Sequence, residues 1–484
     1  LDADDTAQAL VLEAGTGNVV FTGLVGSNQA LGAVNIASAK DVTVNGLRAA
    51  SLTQHTGTGQ TTINTGDFSD TAQGLSTTAA SGVVINNAAI SINDRIDTIG
   101  AGVVSLTTDS GSLVMAADGD IFADGQVELT GFAGIEMAAD VTTTDDDVTF
   151  ASATTLAGPV ALRTGAGAGD IVFASTLDAD DTAQALVLEA GQGNIEFDGM
   201  VGDTQALGAV TIQSVATLTA DDVFKAASYT QTAGDVLTQF DGALTLTGAF
   251  DFTGQALTFN SADNRIAGAM DVINAGAFTT ADLSALSVAG QFTQNGMGPN
   301  NLGGNLTATG GMNFSTAIDL SGLDAVRLAT GGAAGQDMVF GVQGVPAITG
   351  SDQALVLDTG DFGDIAINGD VGSRSNGLGD LTVVGADQVT FNEAVTAASF
   401  TQSAAAVTGL TAFIETPNFE KSFDFSGQAL QLDKAITVGE DLEVNNAGLF
   451  TLASDADVGI TGSLIQDGNG NVLLDVPGVS AGGD

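Results

Sequence analysis

Apolar and polar residues alternate with a period of two along most of this chain. Val42-Thr43-Val44-Asn45 is a sample, and Thr62-Ile63-Asn64-Thr65, Val127-Glu128-Leu129-Thr130 and Leu244-Thr245-Leu246-Thr247 follow the same pattern. Alternation over about four to six residues puts one side of the backbone in a core and the other in water, which predicts half-buried strands. Gly, Asn and Asp bound these runs and supply tight turns. No apolar stripe recurs at helical spacing, and Thr, Val, Asn and Gly are poor helix formers, so no helix is predicted.

The pattern is repetitive on two scales. Leu1–Gly15 reads LDADDTAQALVLEAG, and Leu177–Gly191 reads the same fifteen residues. Ala49-Ala50-Ser51-Leu52-Thr53-Gln54 returns as Ala226-Ala227-Ser228-Tyr229-Thr230-Gln231 and as Ala397-Ala398-Ser399-Phe400-Thr401-Gln402. The Gln of the Gln-Ala-Leu element stands at 8, 184 and 353, a long period of 176 and then 169 residues. The long copies therefore span about 1–176, 177–345 and 346–484, the third incomplete. Inside each copy lie shorter units: an apolar-x-apolar strand, a Gly turn, then Asn or Asp before a second such strand ending in Phe. Leu10 to Phe21, Leu162 to Phe173, Leu186 to Phe197 and Leu328 to Phe340 are examples. A separate unit, Phe250-Asp251-Phe252-Thr253-Gly254, returns as Phe423-Asp424-Phe425-Ser426-Gly427.

Degenerate strand units without linkers predict an all-β solenoid rather than a string of sandwich domains, which would repeat at about 100 residues. With coils of roughly 20 to 25 residues and a rise of about 4.8 Å, residues 1–484 would form one continuous β-solenoid of about 20 coils, a rod on the order of 100 Å long. Val, Ile, Leu, Ala and Phe are expected to point inward, with Phe21, Phe173, Phe197 and Phe340 in stacks. Thr, Ser, Asn and Asp are expected outside, where Asn in successive coils could bond one another.

The units Leu10 to Gly26 and Leu186 to Gly202 resemble the repeat regions of filamentous-haemagglutinin-like bacterial adhesins, of the form LxLxAGxGxIxFxGxVG. The resemblance implies a right-handed parallel β-helix, secretion, and a role as surface adhesin, stalk or matrix fibre.

Charge narrows the partners. The chain has 58 acidic and 10 basic residues and a net charge of -48. Binding to nucleic acid needs Lys and Arg to displace counterions, and docking on anionic lipid needs the same. Neither is expected. There is no Cys, which excludes disulfides and thiolate chemistry, and no apolar run is long enough for a membrane span. The chain opens at Leu1 inside a repeat, as expected for a portion of a longer protein whose export signal or anchor lies elsewhere. Expected partners are flanking repeats or other copies end to end, and polysaccharide of a cell surface or matrix.

No catalytic constellation emerges. The one His, His55, stands where the second copy has Thr232, and reads as a turn residue. Paired carboxylates could hydrolyse glycosides, which makes a carbohydrate-active or carbohydrate-binding β-helix the alternative reading. However, the acids are repeated or scattered rather than gathered at one cleft. The clusters are Asp2-Asp4-Asp5, its copy Asp178-Asp180-Asp181, Asp145-Asp146-Asp147, Asp221-Asp222 and Asp455-Asp457. They are read as a solvated acidic rim, with calcium, which takes oxygen ligands, as the one cofactor candidate. The turn Asp467-Gly468-Asn469-Gly470-Asn471 looks like a calcium loop but lacks the terminal Glu.

Overall fold

In a computed structural model the chain is an all-β solenoid of about 20 turns, built from short strands paired in parallel. The structure describes all residues except 67, 69–73, 323–324, 344, 346, 374, 376, 404–408, 454–457, 476–478 and 482–484. No helix occurs among the described residues. The described chain falls into two compact units, Leu1–Gly242 and Ala243–Asp484.

Within the first unit the strands form three parallel sheets. One outward row runs, neighbour to neighbour, through Val11, Asn35, Thr53, Val84, Ser105, Glu128, Thr149, Val172 and Glu196. A second runs Val20, Thr43, Thr62, Ser91, Val114, Glu136, Thr155, Asp178. The third runs Arg48, Ser76, Asp97, Phe122, Thr142, Arg163, Glu189. Coil length varies from 18 residues (Val34 to Leu52) to 31 (Leu52 to Val83), wider than the sequence pattern implies, because the turns absorb insertions.

The rows expose a rule about the long repeat. Val187 is the counterpart of Val11, yet the row that starts at Val11 reaches Glu196 after eight steps. Val187 instead pairs with Ala161, in the neighbouring sheet. The long repeat is thus eight coils less one face. The second unit obeys the same rule. Its row Asp251, Asp271, Thr293, Asn313, Val339, Ala366, Thr390, Ala412, Gln431 takes eight steps. It ends one strand past Asp424, the counterpart of Asp251.

Turn geometry repeats with the sequence. Gly26, Gly202 and Gly372 have φ of 71°, 67° and 65°. A Cβ there would lie 2.3, 2.2 and 2.1 Å from the carbonyl oxygens of Arg48, Lys225 and Thr396 in the next coil. Glycine alone fits both demands. The register also shifts at the same place in each copy, after Leu12, Leu188 and Leu357.

The core is Val, Ile and Leu with aromatic columns. Phe150, Phe173 and Phe197 stack in register at 4.7 and 5.3 Å. In the second unit Phe278, Phe292, Phe314 and Phe340 form a run at 5.6, 4.9 and 6.0 Å. Phe21 departs from the expected stacks. It is half-buried and faces Val44, an aliphatic neighbour that continues no aromatic column.

The interior is not purely apolar, contrary to the expected pattern. The Gln that closes each Ala-Ala-Ser motif is buried in all three copies. Gln54 accepts from the Thr61 hydroxyl at 2.7 Å, Gln231 from Thr238 at 2.8 Å and Gln402 from Thr411 at 2.8 Å. Gln231 also accepts from Tyr229 at 2.6 Å. Burial pushes that phenol well above its ordinary pKa, so it stays a donor. Elsewhere Asn274 pairs with Gln294, and Asn446 with Gln466, each amide donating to Asn Oδ1 at 2.7 Å. Paired polar groups can be buried at little cost, and their fixed geometry pins the register.

Candidate functional site

A set of aspartates stands just before strands, and there several cap the next coil. Asp120 accepts the backbone N–H of Asp140 at 2.8 Å, and Asp140 that of Ala161 at 2.8 Å. Asp147 accepts from Asp170 at 2.9 Å, and Asp170 from Asn194 at 2.6 Å. In the second unit Asp337 caps Asp364 at 2.9 Å, and Asp364 caps Gln388 at 3.1 Å. Each carboxylate thus satisfies a donor at a strand entry one coil away. The arrangement also stacks like charges. Burial, and then neighbouring carboxylates, raise the pKa of Asp120 and Asp364 despite the N–H bonds they accept.

The predicted clusters divide between bonds to the next coil, at Asp2, Asp178 and Asp145, and bonds within their own turn, at Asp4, Asp180 and Asp222. Asp4 accepts from the Thr6 N–H at 2.9 Å and from Gln8. Its copy Asp180 accepts from Thr182 N–H and Gln184, both at 2.9 Å. Asp2 binds Asn28 N–H at 2.8 Å, and Asp178 binds Thr204 N–H at 2.9 Å. These bonds hold Asp2, Asp4 and Asp180 below the usual carboxylate range. Asp5 and Asp181 are exposed. Asp145 sits at φ 67° and accepts the Gly167 N–H at 2.5 Å. Asp146 is pushed up by burial and then by Asp124, Asp147 and Asp145. Asp222 caps its own neighbour, Val223, at 2.7 Å, and Asp221 is exposed. Asp455 and Asp457 lie outside the described residues.

Among the described residues, no three acidic or imidazole side chains converge on a point fit for a metal ion. The turn at Asp467 has a packing role instead. A Cβ on Gly468 would lie 2.2 Å from the Asn446 backbone, and one on Gly470 1.7 Å from the Gly448 carbonyl oxygen. Gly296 and Gly298 stand in the same relation to Asn274 and Gly276, at 2.1 and 1.7 Å. His55 is exposed and donates its N–H to Ile36 O, as Thr232 does to Ile212 O. It is an ordinary turn residue.

Asn ladders form where rows of Asn align. Asn64 donates to Asn45 at 3.0 Å, Asn93 to Asn64 at 2.9 Å, and Asn392 to Asn368 at 2.9 Å.

Among the described residues, shallow grooves open on outward faces. One, of about 490 Å³, is lined by Asp424, Ser426, Glu443, Asn445, Ile465 and Asp467 above a floor containing buried Phe425. Another, of about 280 Å³, lies in the first unit between the rows through Phe122 and Asp124. Phe122 is the residue that sequence reasoning missed. The triplet Ile121-Phe122-Ala123 reads like any other strand, and only the register shows that Phe122 points outward between Asp97 and Thr142.

No protein-family profile, curated protein or solved structure matches this chain.

Proposed function

We propose that the chain is a non-catalytic structural or adhesive segment of a large secreted bacterial surface protein or extracellular filament. The observation that carries this reading is the use made of the acids. Asp120, Asp147, Asp178 and Asp337 each accept a backbone N–H one coil away, a use that spreads acids along the stack.

The physical task is presentation. Stacked coils give length and stiffness from backbone hydrogen bonds and a continuous core, without disulfides. The net charge of -48 keeps such material soluble and prevents lateral collapse between copies. Flanking repeats or another copy cover the strand edges at each end of the stack.

Negative-stain electron microscopy of the native protein tests this reading. A uniform thin rod is the expected image. Separated beads would overturn it.

A further inference from the structure

We propose that the groove beside Phe122 binds a short stretch of a neutral polysaccharide. The proposal deepens the adhesive reading above and rests on it for its biological setting. The observations are local. Outward positions of the row are otherwise polar or charged: Arg48, Ser76, Asp97, Thr142, Arg163 and Glu189 flank Phe122. A half-exposed aromatic there departs from a chain whose other strand phenylalanines are mostly buried.

The ring is held in place rather than loose. The Arg95 guanidinium lies 3.9 Å from its centroid, and Arg95 is itself fixed by Asp97, its Nε donating at 2.8 Å. Arg95 comes from the preceding coil and covers one face of the ring. Thr142 follows Phe122 in the next coil, and the groove draws on both neighbouring coils, with Asp97 before Phe122 and Thr142 after it. The opposite wall is Ile99, Asp124 and Thr144. Asp124 has Thr144 as a side-chain partner and accepts the Ala101 N–H at 2.8 Å through Oδ2. That bond holds its carboxyl below the usual range, so it is an ionised acceptor.

This set matches the chemistry of an uncharged sugar. A pyranose presents an apolar C–H face to an aromatic ring, and its hydroxyls donate to carboxylates and exchange bonds with Thr hydroxyls. The groove volume suits one or two sugar rings. An acidic polymer is disfavoured by Asp97, Asp124 and the charge of the whole chain. The larger groove at Asp424 carries no such inference: its aromatic, Phe425, is buried in the floor, and what remains is an acidic cluster.

Affinity electrophoresis of the full chain is the test. The probes are gels containing dextran, a soluble mixed-linkage β-glucan or galactomannan, with alginate as the anionic control. Retardation by at least one neutral polymer and none by alginate is expected. Phe122→Thr, which restores the polar character of the row, should weaken retardation by about 10-fold. Thr142→Arg, which fills the groove from the next coil, should do the same with Phe122 intact. Both variants should keep the wild-type strand signal in circular dichroism. Migration unaffected by every neutral polymer would overturn the proposal. So would retardation that both folded variants retain. Either result leaves the rod image untouched, and a beaded image leaves the binding result untouched, so the two readings fail separately.

Discussion

The two compact units share a frame and differ in what fills it. Each carries the long repeat as eight coils less one face. Each uses the same positive-φ glycine where a carbonyl of the next coil comes close, at Gly202 in one and Gly372 in the other. Yet of the 24 phenylalanines, nine fall in Leu1–Gly242 and fifteen in Ala243–Asp484. Apart from buried Phe68, the first unit packs aliphatic layers from Val34 to Leu129 before its first phenylalanine stack. The second runs aromatic columns and adds buried Asn–Gln pairs. The backbone path therefore tolerates different interiors as long as the turns and the strand-entry caps are kept. Cores accept varied apolar content of suitable volume, whereas a turn that admits only glycine does not.

Four outcomes would sharpen or break that contrast. Each is read in the intact chain by hydrogen exchange, which reports local opening free energy. The largest effect is expected from the aromatic filling. Phe292→Ala should destabilise its surroundings by about 3–5 kcal/mol, against about 0.5–1.5 kcal/mol for Ile121→Val in the aliphatic region. Equal losses would mean that the columns are incidental.

The shared frame should respond alike in both units. Gly202→Ala and Gly372→Ala should each cost on the order of 1–3 kcal/mol, because the new Cβ meets a backbone carbonyl in a strained conformation. A large loss at one and none at the other would dissolve the equivalence of the copies.

Next come the interior glutamines. Gln231→Leu removes an acceptor shared by two buried hydroxyls, those of Tyr229 and Thr238, at about 1–3 kcal/mol. Gln54→Leu removes the acceptor of Thr61 Oγ1 alone, and both variants equally remove an Nε2 with no acceptor among the described residues. The loss at Gln231 should therefore exceed that at Gln54, and the reverse order would refute the register-pin role.

The smallest effect is in pH. In the second unit, the described carboxylates with displaced pKa, Asp251 and Asp364, are both raised, by burial first and then by neighbouring acids. A raised carboxyl binds its proton more tightly when folded. Its contribution is therefore present below the ordinary value of 3.8 and is lost as pH rises through the raised value. In the first unit Asp120, Asp146 and Glu196 are raised as well, but Asp2, Asp4, Asp41, Asp124 and Asp180 are lowered, by hydrogen bonds they accept. The contribution of the lowered carboxylates is present above 3.8 and is lost as pH falls through the lowered value. Mild acidification should increase protection around Asp251 and Asp364, and only stronger acid should loosen the turns at Asp4 and Asp180. Loosening at Asp4 before any gain at Asp364 would contradict these assignments.

Period-two alternation and the duplicated fifteen-residue segment made the strands and the solenoid legible in the sequence. The phase of the repeat was not legible, because coils of 18 and 31 residues look alike as strings of strands. The caps were half visible. Asp or Asn before apolar-x-apolar is present in the pattern, but carboxylates that accept from a strand one coil away are many residues apart in sequence. They read as a rim until the coils are stacked. The buried Gln of each Ala-Ala-Ser motif was hidden because amide side chains ordinarily face water. Phe122 was hidden for the converse reason.

Disulfide trapping tests the stacking and its phase most directly, since the native chain has no Cys to interfere. Outward residues in adjacent parallel strands lie within disulfide reach, at roughly 5 Å between Cα atoms. Val172 has Glu196 as its register neighbour, while Val187 lies in the next sheet beside Ala161. The double variant Val172→Cys/Glu196→Cys should oxidise rapidly to an intramolecular cross-link, and Val172→Cys/Val187→Cys should not. The opposite result would place successive copies of the long repeat in phase, a whole number of coils apart, and would contradict the displacement by one face.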